Sequence, residues 1–471
     1  MRQSAAKTEG KSLGTAKRML SGLGLFAGAV LPLAGPTVAQ DTHYWNDQYG
    51  TRAQLLGGLV VGSFLDLSAT FYNPGALAVL DEPRLEIGTN TWEYIRITAT
   101  GLVEEDLEFS SDRVRAAPSL FAFALPSVGK SRFAISVLTR YGFELVTDGN
   151  RILTLEDVAT GESAARSLEG IVRAKLSETW AGFSWALELG DQTGVGVTTY
   201  AAIRTEQFRT QVSETIVAAD LSSSAFGLTD EFRYTNVRLL AKLGFVWGRG
   251  PLSLGTTLTT PSLNVFGGGR VFFERRLQDY VLPGQSEAFT LLEASRQDDL
   301  PATHKSPLSM AGGGRYETGN TGFSLGLEWF NSVGLYTAVD GETFVGQTTG
   351  REIDMDRTHA ARSVLNYGVG ADHELSPGVQ LYLAAFTDRS SLPPAPERGD
   401  LGATSWDIYH VSAGSAFTVG LADLTVGLSY GFGSDRTTTL LGIDETADLN
   451  YTGLRLLLGF STDFSGGGSE N

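Results

Sequence analysis

The sequence predicts an all-β fold: a transmembrane antiparallel β-barrel of about 14 strands, with an N-terminal hatch in its lumen. Three observations predict it. First, the chain beyond residue 83 alternates apolar with small or polar residues, which is the period of a strand and not of a helix. Second, the alternating runs extend over about 10–20 residues, longer than ordinary strands and long enough for tilted strands to cross a bilayer. Third, glycine reaches 57 of 471 residues, well above the usual share, and it recurs on the face opposite the apolar one.

Composition narrows the function classes. Thirty-six Lys and Arg against 53 Asp and Glu give a net charge of −17, which argues against a nucleic-acid partner. The absence of cysteine excludes disulfides, thiol catalysis and Cys-based zinc sites, and suits an oxidising compartment. No run of 18 apolar residues follows residue 40, so membrane-crossing helices are not expected.

The first element is a leader. Arg2, Lys7, Lys11, Lys17 and Arg18 precede an apolar stretch, Met19–Gly35, and then Thr37-Val38-Ala39. This reads as a signal peptide over 1–39, cleaved after Ala39, and places the mature chain beyond the inner membrane. A membrane anchor is the competing reading, disfavoured by the short stretch and its Gly and Pro32 interruptions.

The second element, 40–83, is apolar and glycine-rich but does not alternate cleanly. A free tail would be polar. An apolar prefix needs a burial site, and a glycine-lined lumen offers one, so this segment is read as a hatch.

The third element, 84–464, is the barrel. The runs Phe183–Leu189, Val237–Trp247, Phe323–Trp329, Leu424–Phe432 and Leu454–Phe460 each have one greasy face. Trp180, Trp247, Trp329, Phe330, Tyr430 and Phe432 close such runs, where interfacial girdles belong. A soluble β-sandwich is the alternative, but its strands are shorter. Tight turns are expected at Ser127–Lys130, Asp191–Thr193, Gly248–Pro251, Glu317–Thr321, Ser376–Gly378 and Val419–Asp423. Longer polar loops are expected near 101–112, 148–168, 216–228, 266–302, 341–360, 389–403 and 434–447. Those connections imply 14 strands with both ends on the tight-turn side. Acidic loop residues such as Glu104, Glu105 and Asp106 are solvated, or bridge lipopolysaccharide through divalent ions. Phe464 closes the barrel, and 465–471 is a tail.

The residues Asp66–Pro83, DLSATFYNPGALAVLDEP, resemble the hatch of FadL-type long-chain fatty-acid transporters. That hatch carries an Asn-Pro-Ala motif ahead of a 14-stranded barrel; here Asn73-Pro74-Gly75 has Gly where Ala is usual. Leu252–Gly267 and Leu300–Tyr316 also resemble that family's strand-to-loop segments. The resemblance implies passive uptake of a hydrophobic small molecule, held in a pocket against the hatch and released sideways at a kink in the third strand. The implied site comprises Phe64, Phe71, Tyr72, Asn73, Pro74 and Gly75 on the hatch, and Arg140, Tyr141, Gly142 and Phe143 on the third strand. Asn73 and Pro74 fix a turn or touch ligand; Phe64, Phe71 and Tyr72 line the pocket or anchor the plug; Gly142 kinks the strand or packs in the lumen. Arg140, Arg238 and Lys242 fall on polar faces, and either receive a carboxylate or pair with acids such as Glu144 or Glu188.

The other implied partners are outer-membrane lipids, lipopolysaccharide and the barrel-insertion machinery. No cofactor and no metal is expected, since no metal-spaced His cluster or phosphate loop is present. Gly427-Leu-Ser429-Tyr-Gly431 fits a nucleophile-elbow pattern but lies within a strand, so no enzyme is expected. A general diffusion porin or a purely structural outer-membrane barrel remains the alternative, separated by whether a plug fills the lumen.

Overall fold

In a closed barrel every inner strand satisfies its backbone on both sides, which is the condition for strands to cross a bilayer. The computed structural model meets that condition. It describes residues 42–80, 84–100, 107–114, 119–156, 163–281, 287–394, 406–437 and 447–463. The expected leader and the tail lie outside the described residues, as do Phe464 and the acidic run at 104–106.

Fourteen strands follow in order. They are β1 (Arg84–Thr100), β2 (Leu107–Val114, resumed at Leu120–Val128), β3 (Ser131–Glu156), β4 (Ser163–Gly190) and β5 (Thr193–Val217). Next come β6 (Ser223–Arg249), β7 (Leu252–Thr259, resumed at Leu263–Val281), β8 (Ala288–Pro301, resumed at Ser309–Thr318) and β9 (Thr321–Phe330). The last are β10 (Val364–Ser376), β11 (Val379–Asp388), β12 (Asp407–Val419), β13 (Ala422–Thr437) and β14 (Ala447–Asp463). Consecutive strands pair antiparallel, and β1 pairs with β14 from Arg84↔Asp463 to Thr100↔Asp448, which closes the sheet.

All six tight turns stand where expected, five of them with a glycine in the left-handed region that other residues adopt only at a cost: Gly129, Gly250, Gly319, Gly378 and Gly420. The loops correct the expectation. Much of 148–168, 216–228 and 266–302 is strand, because β3 to β6 run for 26, 28, 25 and 27 residues. Above the bilayer both faces of such a wall are wet, so polarity there does not signal a loop. The region 341–360 belongs to an excursion, residues 331–363, that folds inward. Its Tyr336, Ala338, Val339 and Met355 join Phe208, Phe232, Tyr234 and Val271 of the wall in one buried cluster.

Burial is inverted relative to a soluble sheet. Leu239, Leu243, Phe245, Leu325, Leu327, Leu381, Leu383, Val426 and Leu428 are exposed on the outside. Inside, Ser184, Thr198, Arg204, Arg238, Glu178 and Ser412 are buried. An apolar belt around a polar interior is the dress of a bilayer-spanning barrel. Trp180 and Phe330 are corrections to the girdle: both are buried, on the inward-facing parity of their strands, and Trp180 packs at a tilt against Tyr200 in the lumen, ring centres 5.2 Å apart.

Residues 42–80 lie against the inward faces. They carry short helices α1 (Arg52–Leu55) and α2 (Ala69–Tyr72) and a 3-10 turn (Pro74–Val79). Tyr49, Leu55, Leu56, Leu67, Phe71 and Ala76 form a core with Leu120, Leu138, Trp180, Tyr200 and Leu240 of the wall.

Candidate functional site

The site begins at a turn. Asn73 precedes the 3-10 turn with an extended backbone, and its side-chain oxygen accepts from the Gly75 N–H at 3.1 Å. Its amide nitrogen donates to the Val61 carbonyl at 2.6 Å and to the Phe245 carbonyl of β6 at 2.9 Å. One side chain therefore ties the turn to itself, to the segment and to the wall. Wall and segment then meet backbone to backbone. A Cβ on Gly75 would stand 2.8 Å from the carbonyl oxygens of both Gly194 and Gly244, which explains why alanine cannot occupy this place. Gly196 faces the Pro74 carbonyl and Gly255 the Val61 carbonyl in the same way.

Around this contact the polar ends of the segment are satisfied by the barrel. The Thr70 carbonyl accepts from Thr198 Oγ1 at 2.8 Å and from the Tyr200 hydroxyl at 2.7 Å. Glu86 of β1 accepts the N–H groups of Thr51 at 2.7 Å and Leu67 at 2.6 Å. Asp66 accepts from Arg52 and Ala53, and Arg52 pairs with Asp423. At the segment's start, His43 Nε2 lies 2.9 Å from the accepting Trp406 carbonyl; burial pushes its imidazole down to about 4, so it is neutral at neutral pH. Burial likewise pushes the Tyr49 phenol up to about 12, keeping its proton available for donation.

The second contact is at β3. Its pairing with β4 slips by one residue between Thr139 and Tyr141, so Arg140 is a bulge. The irregularity thus falls at Arg140, two residues before Gly142. Arg140 donates to the Tyr44 carbonyl at 2.8 Å and to the Tyr49 hydroxyl at 3.2 Å, while that hydroxyl donates to the Arg140 carbonyl at 3.3 Å. Its guanidinium lies 5.0–5.8 Å from the ring centres of Tyr141, Phe71 and Trp180. The bulge also inverts the parity of β3 beyond it, which corrects the expectation for Glu144, while Glu188 of β4 lies too near the turn end. Glu144 faces outward to Lys175 at 3.6 Å, and Glu188 sits beside Lys130 at the turn end. The acids that meet Arg204 and Arg238 are Glu178 and Glu206. Arg204 bonds Glu178 at 3.1 Å and Glu206 at 2.8 Å, and Arg238 bonds Glu178 at 2.5 Å.

Between the N-terminal segment below and the 331–363 excursion above lies a cavity of about 70 Å³. Phe71, Tyr72, Arg140 and Tyr141 line it, together with Tyr44, Trp45, Trp180, Arg238, Lys242, Lys305 and Glu328. Asn73, Pro74 and Gly75 lie beneath it as anchors, Phe64 is half-buried against the core away from it, and Gly142 is on the strand beyond it. The Phe143 side chain lies outside the described residues. Sequence reasoning missed Tyr44, Trp45 and Glu328; Trp45 donates to Glu328 at 2.9 Å, a contact 283 residues apart that no local pattern announces.

Lys242 is the distinctive cation. Its Nζ bonds Thr259 Oγ1 at 3.0 Å and stands 4.3 Å from the Phe71 ring centre, and it is buried without an ion pair among the described residues. Among the described residues the β2–β3 ladder ends nearby, with the Thr139 N–H donating to the Ser119 carbonyl at 3.1 Å as its last backbone bond. β2 pairs with β3 from Val128↔Ser131 only as far as Leu120↔Leu138. Above that level the described residues of β2 pair with β1 and none pairs with β3.

Solved barrels show the same architecture. The Pseudomonas putida toluene transporter TodX superposes with a TM-score of 0.57 at 13% identity, over 88% of this chain and 99% of that one. The Ralstonia pickettii toluene transporter TbuX gives 0.54 at 12% identity, over 88% and 98%. A Pseudomonas aeruginosa FadL homologue gives 0.53 at 13% identity, over 91% and 100%. The chain has the FadL-type fold. No family model and no curated protein sequence matches it.

Proposed function

We propose that the protein is an outer-membrane transporter for passive uptake of hydrophobic small molecules, long-chain fatty acids or similar compounds, through a plugged barrel with lateral release. The observation that carries this reading is the plug itself: residues 42–80 are bonded to the wall at Asn73 and Arg140, directly under an aromatic cavity. Tyr44, Trp45, Phe71 and Trp180 supply apolar surface. Lys242, held by one hydroxyl, is the group able to receive a carboxylate as a charge-assisted hydrogen bond. At about 70 Å³ the cavity is smaller than the ~150 Å³ that takes benzene in an engineered protein core. The present state is therefore closed, and ligand binding must displace part of the plug or of the 331–363 excursion. The bulge at Arg140, where among the described residues the β2–β3 ladder ends, supports a sideways exit, which spares a greasy solute a passage through water.

The test is single-channel conductance in a planar bilayer. The intact barrel is expected to be silent, and a variant lacking residues 42–80 to conduct. Large steady conductance from the intact protein would replace this reading by a diffusion porin. Binding of oleate stronger than that of a neutral hydrocarbon of equal length, lost in Lys242→Met, supports the carboxylate assignment; equal binding would assign a neutral ligand.

A further inference from the structure

The outward face of the tall arc β4–β8 carries a concentration of positive charge that the transport reading does not use. Two consecutive rungs of the sheet hold it. The lower runs Lys175↔Gln207↔Arg233↔Arg270, and the upper runs Arg173↔Arg209↔Glu231↔Phe272, with Arg296 opposite Phe272. These side chains point away from the lumen, because their neighbours Ala174, Phe208, Phe232 and Val271 are the buried inward ones.

Six cations thus face one internal acid. Glu231 accepts Arg209 at 3.6 Å and Arg270 at 3.0 Å. At the flanks Lys175 meets Glu144 at 3.6 Å and Arg296 meets Asp298 at 2.9 Å. Arg173 and Arg233 are exposed and have no ion or hydrogen-bond partner among the described residues. Each instead stands directly opposite another arginine, Arg209 and Arg270 respectively. Like charges directly opposite in a sheet are destabilising, so the arrangement is relieved by an anion placed between them. In a chain of net charge −17 this local excess is the reverse of the general trend.

The height of the rungs says which anion. Below them comes a hydroxyl rung, Ser177, Thr205 and Thr235, and then the apolar belt begins at Ile203, Val237 and Phe266. Four residues of tilted strand separate Ile203 from the lower rung, roughly 10 Å along the barrel axis. That is within an arginine's reach of the headgroup layer. We propose that this face binds the phosphates of an outer-leaflet glycolipid, with guanidinium forks of Arg173, Arg209, Arg233 and Arg270 on the phosphate oxygens and the acyl chains against Ile203, Val237 and Phe266. The proposal rests on the outer-membrane placement and is independent of what the lumen carries.

The test uses the full-length mature protein in detergent, with bis-phosphorylated lipid A as probe and native mass spectrometry or fluorescence titration as readout. Arg173→Gln/Arg233→Gln is expected to weaken lipid A binding at least tenfold while keeping heat-modifiable gel mobility, since it removes repulsion and not support. Dephosphorylated lipid A should bind the parent protein as weakly as lipid A binds the variant. A control pair at the turn end, Lys130→Gln/Arg249→Gln, should bind lipid A normally. Equal binding by parent and variant, equal binding of the dephosphorylated lipid, or equal loss in the control would each overturn the proposal. Displacement of lipid A by millimolar inorganic phosphate would overturn the lipid assignment and leave a free-phosphate site. Conductance of the plug-deleted barrel stays a separate readout, so failure here and failure of the transport reading are distinguishable.

Discussion

The N-terminal segment meets the wall in two ways. At Asn73-Pro74-Gly75 the contact is backbone against backbone, made possible by Gly194, Gly196, Gly244 and Gly255, and it leaves no room for a Cβ. At Arg140 it is a single long side chain reaching Tyr44 and Tyr49 among aromatic rings. The first contact is rigid and has no near alternative, because close-packed backbones cannot slide without clashing. The second is three hydrogen bonds that water or a ligand can replace one at a time. A plug that moves should therefore hinge at the glycine floor and release at Arg140.

The sharpest way to break this contrast is Gly75→Val. Its Cβ would meet two carbonyl oxygens at 2.8 Å, and overpacking here should cost more than about 3 kcal/mol of plug seating. Conductance is expected to approach that of the plug-deleted barrel; a silent channel would show the floor to be soft. Next is Asn73→Ala. It leaves the Val61 and Phe245 carbonyls and the Gly75 N–H short of a partner, about 3 kcal/mol in sum, and should give intermittent opening in the same recording.

A pH titration sharpens the other end of the segment. His43 in place has its basicity lowered to about 4, whereas a released imidazole titrates near 6.5. Seating is complete above pH 6.5 and weakens as pH falls from there to about 4, by up to about 3 kcal/mol. Hydrogen exchange of residues 42–56 should accelerate over that window; unchanged protection at pH 4.5 would remove His43 as an anchor. The smallest effect expected is at the cavity: Lys242→Met should weaken oleate about tenfold, the worth of one charge-assisted hydrogen bond, and leave conductance unchanged.

What the sequence disclosed follows the same division. The tight turns were legible because glycine, proline and short polar residues at Gly129, Gly250 and Gly378 have a local cause. The strand count was legible because the belt forces alternation. The upper strands were not, since Gln207, Arg209 and Gln211 outside and Arg204, Glu206 and Thr210 inside are polar on both faces. Glu144 was misplaced because one extra residue at Arg140 reverses facing for the rest of β3, and the pairing of Arg204 and Arg238 with Glu178 joins separate strands, which no local pattern announces. Of the expected site, Phe71, Tyr72, Arg140 and Tyr141 come together at the cavity, while the Asn73 turn serves beneath it.

The wall's uneven height has a consequence of its own. Strands β3 to β6 reach 25–28 residues, whereas β9 and β11 have 10 each. The tall side stands roughly 40 Å above the short one, given the rise and tilt of such strands. The molecule therefore has a front and a back. In a crowded membrane, neighbours can crowd the low side freely but meet a parapet on the other, and the Arg140 bulge of β3 lies at the foot of that parapet. The barrel's azimuth among its neighbours, and not only its depth in the bilayer, then decides what the Arg140 side of the wall faces.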